Sequence, residues 1–152
     1  MSLEEQTKKT PLFSLKGKKY VAKCVKCYDA DTIHVVFEFS GSYTRFCCRL
    51  FGIDTAEIRT RDTAEKEHAY KARDFLRELI LGKLIQIHCY DFDKYGRLLI
   101  DIFPYNKDAL SGGGASTSRE SYNDILVEKN FAYHYDGSKK QKFNEWFDKT
   151  AA

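Results

Sequence analysis

Four short stretches of this chain carry residues whose types and spacing could do chemistry together. "LFGIDTAEI", residues 50–58, sets Asp54 and Glu57 three residues apart on a turn that follows an apolar strand. "YDADTI" places Asp29 and Asp31 at a bend between strands, just ahead of Thr32. Arg49 lies on the strand that delivers the first turn, five residues before Asp54, and "DKYGR" puts Arg97 just past a hairpin turn. Singly, each is ordinary: Asp-x-Asp at a strand junction accepts local backbone N–H bonds, and an arginine beyond a turn is usually a solvated face. Together they match the needs of phosphodiester hydrolysis. Hydroxide must be forced onto an anion, and the five-coordinate phosphorus that results carries added negative charge. That step calls for a hard cation on oxygen ligands, a carboxylate near the water and planar guanidiniums on the equatorial oxygens. Asp31 and Asp54 can supply the ligands, Glu57 the base, and Arg49 with Arg97 the clamp. No cysteine or histidine is required, which fits an oxygen-only, calcium-like site.

The elements that must hold these residues alternate in period along the chain. "KKYVAKCVKCYD", "DTIHVVFEF" and "YTRFCCRLFGI" mix β-branched and aromatic residues as three strands, with "SGS" at 40–42 as a hairpin turn. From Thr63 to Gly82 the period becomes helical, with Ala69, Ala72, Leu76, Leu79 and Ile80 on one face. Thr63 or Asp62 can cap its start, and Gly82 suits its end. "KLIQIHCYDF" and "GRLLIDIFPY" are two more strands around the turn "DKYG". "LSGGGASTS", 110–118, is a flexible polar loop, "SYNDILVEKNFA" a second helix with Tyr122, Ile125 and Leu126 inward, and "QKFNEWFDK" a short terminal helix. Three strands, a helix, two strands and further helix is the order of a mainly β, five-stranded Greek-key barrel of the OB type packed with about three helices. Residues 1–16 read as a polar leader, disordered in expectation, and 17–150 as the domain.

Composition bounds the reading without deciding it. A chain of 152 residues with 43% hydrophobic content fits one domain with a real core. The net charge of +3 is compatible with a polyanionic partner but does not argue for one, so the position of charge matters more than its total. Ten Tyr and eleven Phe suit a small β-rich core and leave some rings for stacking on bases. No stretch approaches the ~18 apolar residues of a membrane span, and the N-terminal residues lack an apolar signal core. Five cysteines, an odd number, point to free thiols in the cytoplasm or another reducing compartment; a leader upstream of residue 1 would instead allow secretion. "CVKC" with Cys47 and Cys48 invites a zinc reading. In strands, however, residues at i and i+3, or i and i+1, point to opposite faces and do not converge on one ion. Buried thiols acting as small hydrophobes are the expectation.

"DADT", "RLFGIDTAE" and "DKYGR", in this order and at these separations, resemble the staphylococcal nuclease (thermonuclease) family, and the resemblance runs from about residue 18 to 149. It includes "YKARDFLRELILGK" as the first long helix and "NDILVEKNFA" as the second. The combined set is specific where each member alone is not. The resemblance implies that the Asp31 and Asp54 carboxylates and the Thr55 carbonyl ligate Ca²⁺. It implies that Glu57 orients or deprotonates the attacking water, that Arg49 and Arg97 stabilise the phosphorane, and that Asp29 supports the ligands from behind. Lys94 and Tyr95 look like nucleotide-phosphate contacts. Tyr133 and Tyr135 are similar in type to the family's stacking tyrosines, with core or rim packing the equal alternative. The implied activity is hydrolysis of the P–O5′ bond of DNA or RNA, leaving 3′-phosphate ends. The partner is nucleic acid, single strands preferred, and the protein is expected to be a monomer.

The chain departs from the family pattern at two turns. Ala30 stands where the family usually has Gly, which costs about 1 kcal/mol if the position needs a positive φ. Ala56 stands where it usually has Pro, loosening the Asp54–Glu57 turn by ~0.4–1 kcal/mol through unfolded-state entropy. Neither change removes a catalytic atom. The rival reading, from another class, is a non-catalytic nuclease-like module that binds RNA or protein. Such modules typically lack the acidic and arginine set, whereas Asp31, Arg49, Asp54, Glu57 and Arg97 are all present here.

Overall fold

The structure, a computed structural model, describes residues 2–107 and 120–147. The expected loop at 110–118 and the last two residues of the expected terminal helix lie outside the described residues. Strands β1 (Lys19–Cys27), β2 (Thr32–Phe39), β3 (Ser42–Leu50), β5 (Leu84–Phe92) and β6 (Leu98–Pro104) form a closed barrel in the order β1-β2-β3-β6-β5. Every neighbouring pair is antiparallel except β3 and β6, which run parallel and close the mixed barrel of an OB fold. Alternate residues of each strand turn inward, so Ile33, Val35, Ile85, Ile87, Ile100 and Ile102 are fully or almost fully buried. Ser40 and Gly41 both take positive φ, 51° and 82°, which gives the β2–β3 hairpin a turn whose twist matches its strands.

Helix α1 (Thr63–Ile80) starts at Asp62, whose side chain accepts from the Ala64 and Glu65 N–H groups. Its apolar stripe buries Ala69, Ala72, Leu76 and Ile80 as the periodicity predicts, while Leu79 is only partly buried and His68 is buried in its place. Burial of Leu76 and Ile80 is worth about 1.5–3 kcal/mol each. Arg77 ties the helix to the barrel by donating twice to the Cys27 carbonyl, at 2.9 and 3.2 Å.

Three features differ from the sequence expectation. First, strand β1 bulges between Cys24 and Lys26, so one extra residue resets its alternation. Cys24 and Cys27 therefore share the inner face with their sulfurs 3.7 Å apart, where unbroken alternation would have separated them. Among the described residues no three His, Cys, Asp or Glu side chains gather as a metal cluster, and burial pushes the Cys89 thiol up to about 11. Second, the leader is not wholly separate. Leu15 is buried in the core, Phe13 packs on Phe39 and Phe92, and the Gly17 N–H donates to the Cys89 carbonyl.

Third, the second helix, α2 (Tyr122–Glu128), stops early, because Asn130 takes a φ of 63° and turns the chain into a strand. That strand, β7 (Ala132–His134), pairs antiparallel with a three-residue β4 (Ile53–Thr55) that continues past β3. The inward residues of α2 are Asn123 and Leu126, with Tyr122 and Ile125 only partly buried. Buried Asn123 accepts from the Ile102 N–H and donates to the Phe51 carbonyl, both at 3.0 Å, so it locks α2 where β3 and β6 diverge. Helix α3 (Phe143–Trp146) then packs Phe143 against Ala56 and Ala69.

Candidate active site

The site forms where the β1–β2 bend meets the short β4–β7 ladder. Asp29 shapes the bend: its Oδ1 accepts from the N–H groups of Asp31 at 3.0 Å and Thr32 at 2.8 Å. Ala30 is buried there without a positive φ, since the only positive-φ residues other than glycine among those described are Ser40 and Asn130. The bend thus tolerates alanine without the strain that a left-handed conformation would impose.

Asp31 and Asp54 are 8% and 2% exposed, and they converge on one nitrogen. Arg49 Nη2 lies 3.1 Å from Asp54 Oδ1 and 3.5 Å from Asp31 Oδ2. The other end of the fork, Nη1, donates to the carbonyls of Leu50 at 3.0 Å and Ile53 at 2.9 Å, which fixes the guanidinium plane. Hydroxyls also hold the two carboxylates. Thr32 donates to Asp31 Oδ1 at 3.0 Å, Thr55 to Asp31 Oδ2 at 3.3 Å and Tyr133 to Asp54 Oδ2 at 2.9 Å.

Burial, with Asp29 nearby, pushes the Asp31 carboxyl up to about 6, and burial beside Asp31 raises Asp54 as well. A single guanidinium does not fully offset two buried carboxylates. A hard divalent cation would add to the balance, and Asp31, Asp54, Thr32, Thr55 and Tyr133 all bring oxygen here, so these residues fit Ca²⁺ or a similar ion.

Arg97 joins through Thr32: its Nη1 donates to the Thr32 hydroxyl at 3.3 Å, and its Nε to Asp93 Oδ2 at 2.8 Å. Asp93 resists the penalty of burial because the Arg97 and Tyr95 N–H groups and the Arg97 side chain all favour its charged form, and its carboxyl lies below the usual range. Lys94 and Tyr95 sit on the same turn, with Lys94 Nζ 5.2 Å and the Arg97 guanidinium 5.6 Å from the Tyr95 ring centre. Tyr95 is exposed, and Tyr135 is partly exposed with its ring 5.8 Å from the Arg49 guanidinium. Tyr133 is buried, with its ring edge-on to Tyr135 and tilted against Trp146, and its hydroxyl reaches the site.

Glu57 stands at the rim with its side chain 56% exposed and its backbone N–H held by Glu65. A cleft of about 460 Å³ opens beside it, lined by Asp54, Thr55, Glu57, Glu65 and Lys140 among others. Lys140 bridges Glu57 Oε1 at 3.5 Å and Asp54 Oδ2 at 3.8 Å. Lys140 carries no local signal, since it sits in "SKKQK" like any solvated charge run. Thr32, by contrast, was visible as the last letter of "DADT".

The chain is thus a closed OB barrel with an acidic, arginine-bridged notch beside its β1–β2 bend. The chain belongs to the staphylococcal nuclease homologue family, whose model matches residues 47–150. That stretch contains Arg49, Asp54, Glu57 and Arg97, while Asp29 and Asp31 precede it. The chain is also similar to an uncharacterized 38.1 kDa protein of Capnoides sempervirens, 25% identical over 109 residues that cover 71% of this chain. The aligned part spans 27% of that relative's length.

Proposed function

We propose that this chain is a Ca²⁺-dependent nuclease that hydrolyses the P–O5′ bond of DNA or RNA and leaves 3′-phosphate ends. The observation that supports this best is the convergence of buried Asp31 and Asp54 on the single Nη2 of Arg49. Two buried carboxylates with one shared cation are poor economy for a fold but a sound arrangement for taking up a second cation.

Asp31, Asp54 and Thr55 would hold the metal, which when bound supplies charge for the scissile phosphate and polarises a water. Glu57, at the open rim, takes the proton from the attacking water as its oxygen bonds to phosphorus. Arg97 is oriented by Asp93 and Thr32, and Arg49 by two backbone carbonyls, so both guanidiniums are held in place at the site, where their charge would stabilise the equatorial oxygens. The 5′ oxygen leaves with the bonding pair and gains a proton from solvent. Lys94 contacts a neighbouring phosphate, and the exposed faces of Tyr95 and Tyr135 take unstacked bases, which favours single strands. The protein acts as a monomer.

The test is cleavage of labelled single-stranded DNA and RNA with Ca²⁺, with Mg²⁺ and with EDTA. Cleavage restricted to the metal-containing reactions supports the proposal. Binding without cleavage under every condition, with the fold intact, replaces it by the non-catalytic module that binds RNA or protein.

A further inference from the structure

Lys140 reaches the site from the segment between β7 and α3, and its backbone is fastened there. The Gln141 N–H donates to the Tyr133 hydroxyl at 2.9 Å, the same hydroxyl that donates to Asp54. Two residues further on, Phe143 is buried against Ala56 and Ala69, and Trp146 and Phe147 pack beside the His68 ring. The lysine side chain is therefore delivered to one place: 3.5 Å from Glu57 Oε1 and 3.8 Å from Asp54 Oδ2.

Glu57 needs such a partner. Its backbone is held through Glu65, but its side chain is long, more than half exposed and free to explore several rotamers. Asp54 Oδ2 lies within reach of the same ammonium group. One cation thus touches both a carboxylate that would bind metal and the carboxylate that would act as base.

We propose that Lys140 is a positioning residue that couples the two. Without a divalent ion its charge helps balance Asp54 and competes for that carboxylate. With Ca²⁺ on the ligands, like-charge repulsion removes the Asp54 contact and leaves the ammonium to Glu57, which it holds at the edge of the ligand pair. The inference rests on the nuclease reading above. Its two consequences run in opposite directions: the lysine weakens metal binding and speeds turnover.

The experiment titrates Ca²⁺ calorimetrically into wild type, Lys140→Gln and Lys140→Arg, and measures kcat and KM for an oligonucleotide at saturating Ca²⁺. Exposed ion pairs are individually weak, so effects of about two- to fivefold are expected. Lys140→Gln should bind Ca²⁺ that much tighter and turn over that much more slowly, with KM nearly unchanged. Lys140→Arg should return both values toward wild type. General loss of structure would weaken metal binding as well as turnover, so tighter binding with slower turnover is specific to this role. The inference is overturned if Lys140→Gln binds Ca²⁺ no tighter than wild type, or if its kcat is unchanged. A raised KM with unchanged kcat would make the residue a substrate contact and overturn it too. If wild type itself neither takes up Ca²⁺ nor cleaves, the nuclease reading fails and carries this inference with it.

Discussion

Tyr133 and Asp54 are register partners across the β4–β7 ladder, and the phenol hydroxyl donates to Asp54 Oδ2 at 2.9 Å. A two-strand ladder of three residues each contributes little stability by itself. Its effect is to bring the carboxylate proposed to bind metal and its orienting hydroxyl to the same place by backbone pairing.

Tyr133→Phe keeps the packed ring and deletes that donor, and it leaves the Gln141 N–H without its acceptor. By analogy with other groups that orient metal ligands, Ca²⁺ affinity should fall about 10- to 100-fold. Stability should fall by roughly 1–2 kcal/mol. Calcium titration and denaturant unfolding of the metal-free protein measure the two effects separately.

Asp31 makes stability depend on pH in a direction opposite to that of a salt-bridged carboxylate. Its folded-state value of about 6 stands above the ordinary 3.8. Between these values the folded protein holds a proton that the unfolded chain has lost, so stability from this group falls as pH rises through the window. Above it the ionised carboxylate remains a cost in the metal-free protein. Asp31→Asn should therefore be more stable than wild type at pH 7 without metal, by an amount on the order of 1–3 kcal/mol. The gap should narrow toward pH 4, and added Ca²⁺ should stabilise wild type but hardly the variant. Thermal melts across pH, with Ca²⁺ or EDTA, give the answer.

Arg49 and Arg97 differ in what a lysine would lose. Lysine keeps the charge but not the planar pair of donors. Each Arg→Lys variant should lose about 10²–10³ in kcat, the cost of one missing oxyanion donor. Arg49→Lys should also be less stable, because the Leu50 and Ile53 carbonyls lose their shared donor, whereas Arg97→Lys should fold almost normally. Values of kcat within about threefold of wild type for both would remove the phosphorane clamp from the mechanism.

Substrate binding should be separable from chemistry. With Lys94, Arg49 and Arg97 on phosphates, oligonucleotide affinity should fall steadily as salt rises, and single strands should bind better than duplex. Filter or anisotropy titrations with Glu57→Gln in Ca²⁺ measure this without cleavage. A flat salt response would contradict phosphate contacts by these side chains.

The barrel was legible in the sequence because its strands are long enough for alternation to show and α1 is long enough for a helical stripe. The short pieces were not. β4 and β7 have three residues each, too few for a period, and they exist only because they pair with one another. The bulge at Cys24–Lys26 inverted the expected placement of Cys27, since one inserted residue flips every later side chain. The left-handed Asn130 ended α2 about one turn before its apolar pattern ran out. At the site, the gathering of Asp31, Arg49, Asp54 and Arg97 was legible because carboxylates and guanidiniums at those separations suggest a shared chemical purpose. Lys140 and the Tyr133 hydroxyl were not, because what they do follows from a ladder and a helix packing that no local pattern encodes.

The most direct measurement uses a 5′-labelled single-stranded oligonucleotide with Ca²⁺, run beside an EDTA control and beside Glu57→Gln. Wild type should give Ca²⁺-dependent products whose ends carry a 3′-phosphate, seen as a mobility shift on phosphatase treatment. Glu57→Gln should bind the same oligonucleotide and cut it at least about 100-fold more slowly. An oligonucleotide that wild type binds but leaves intact in Ca²⁺, with the fold unchanged, would contradict the assignment of this site to phosphodiester hydrolysis.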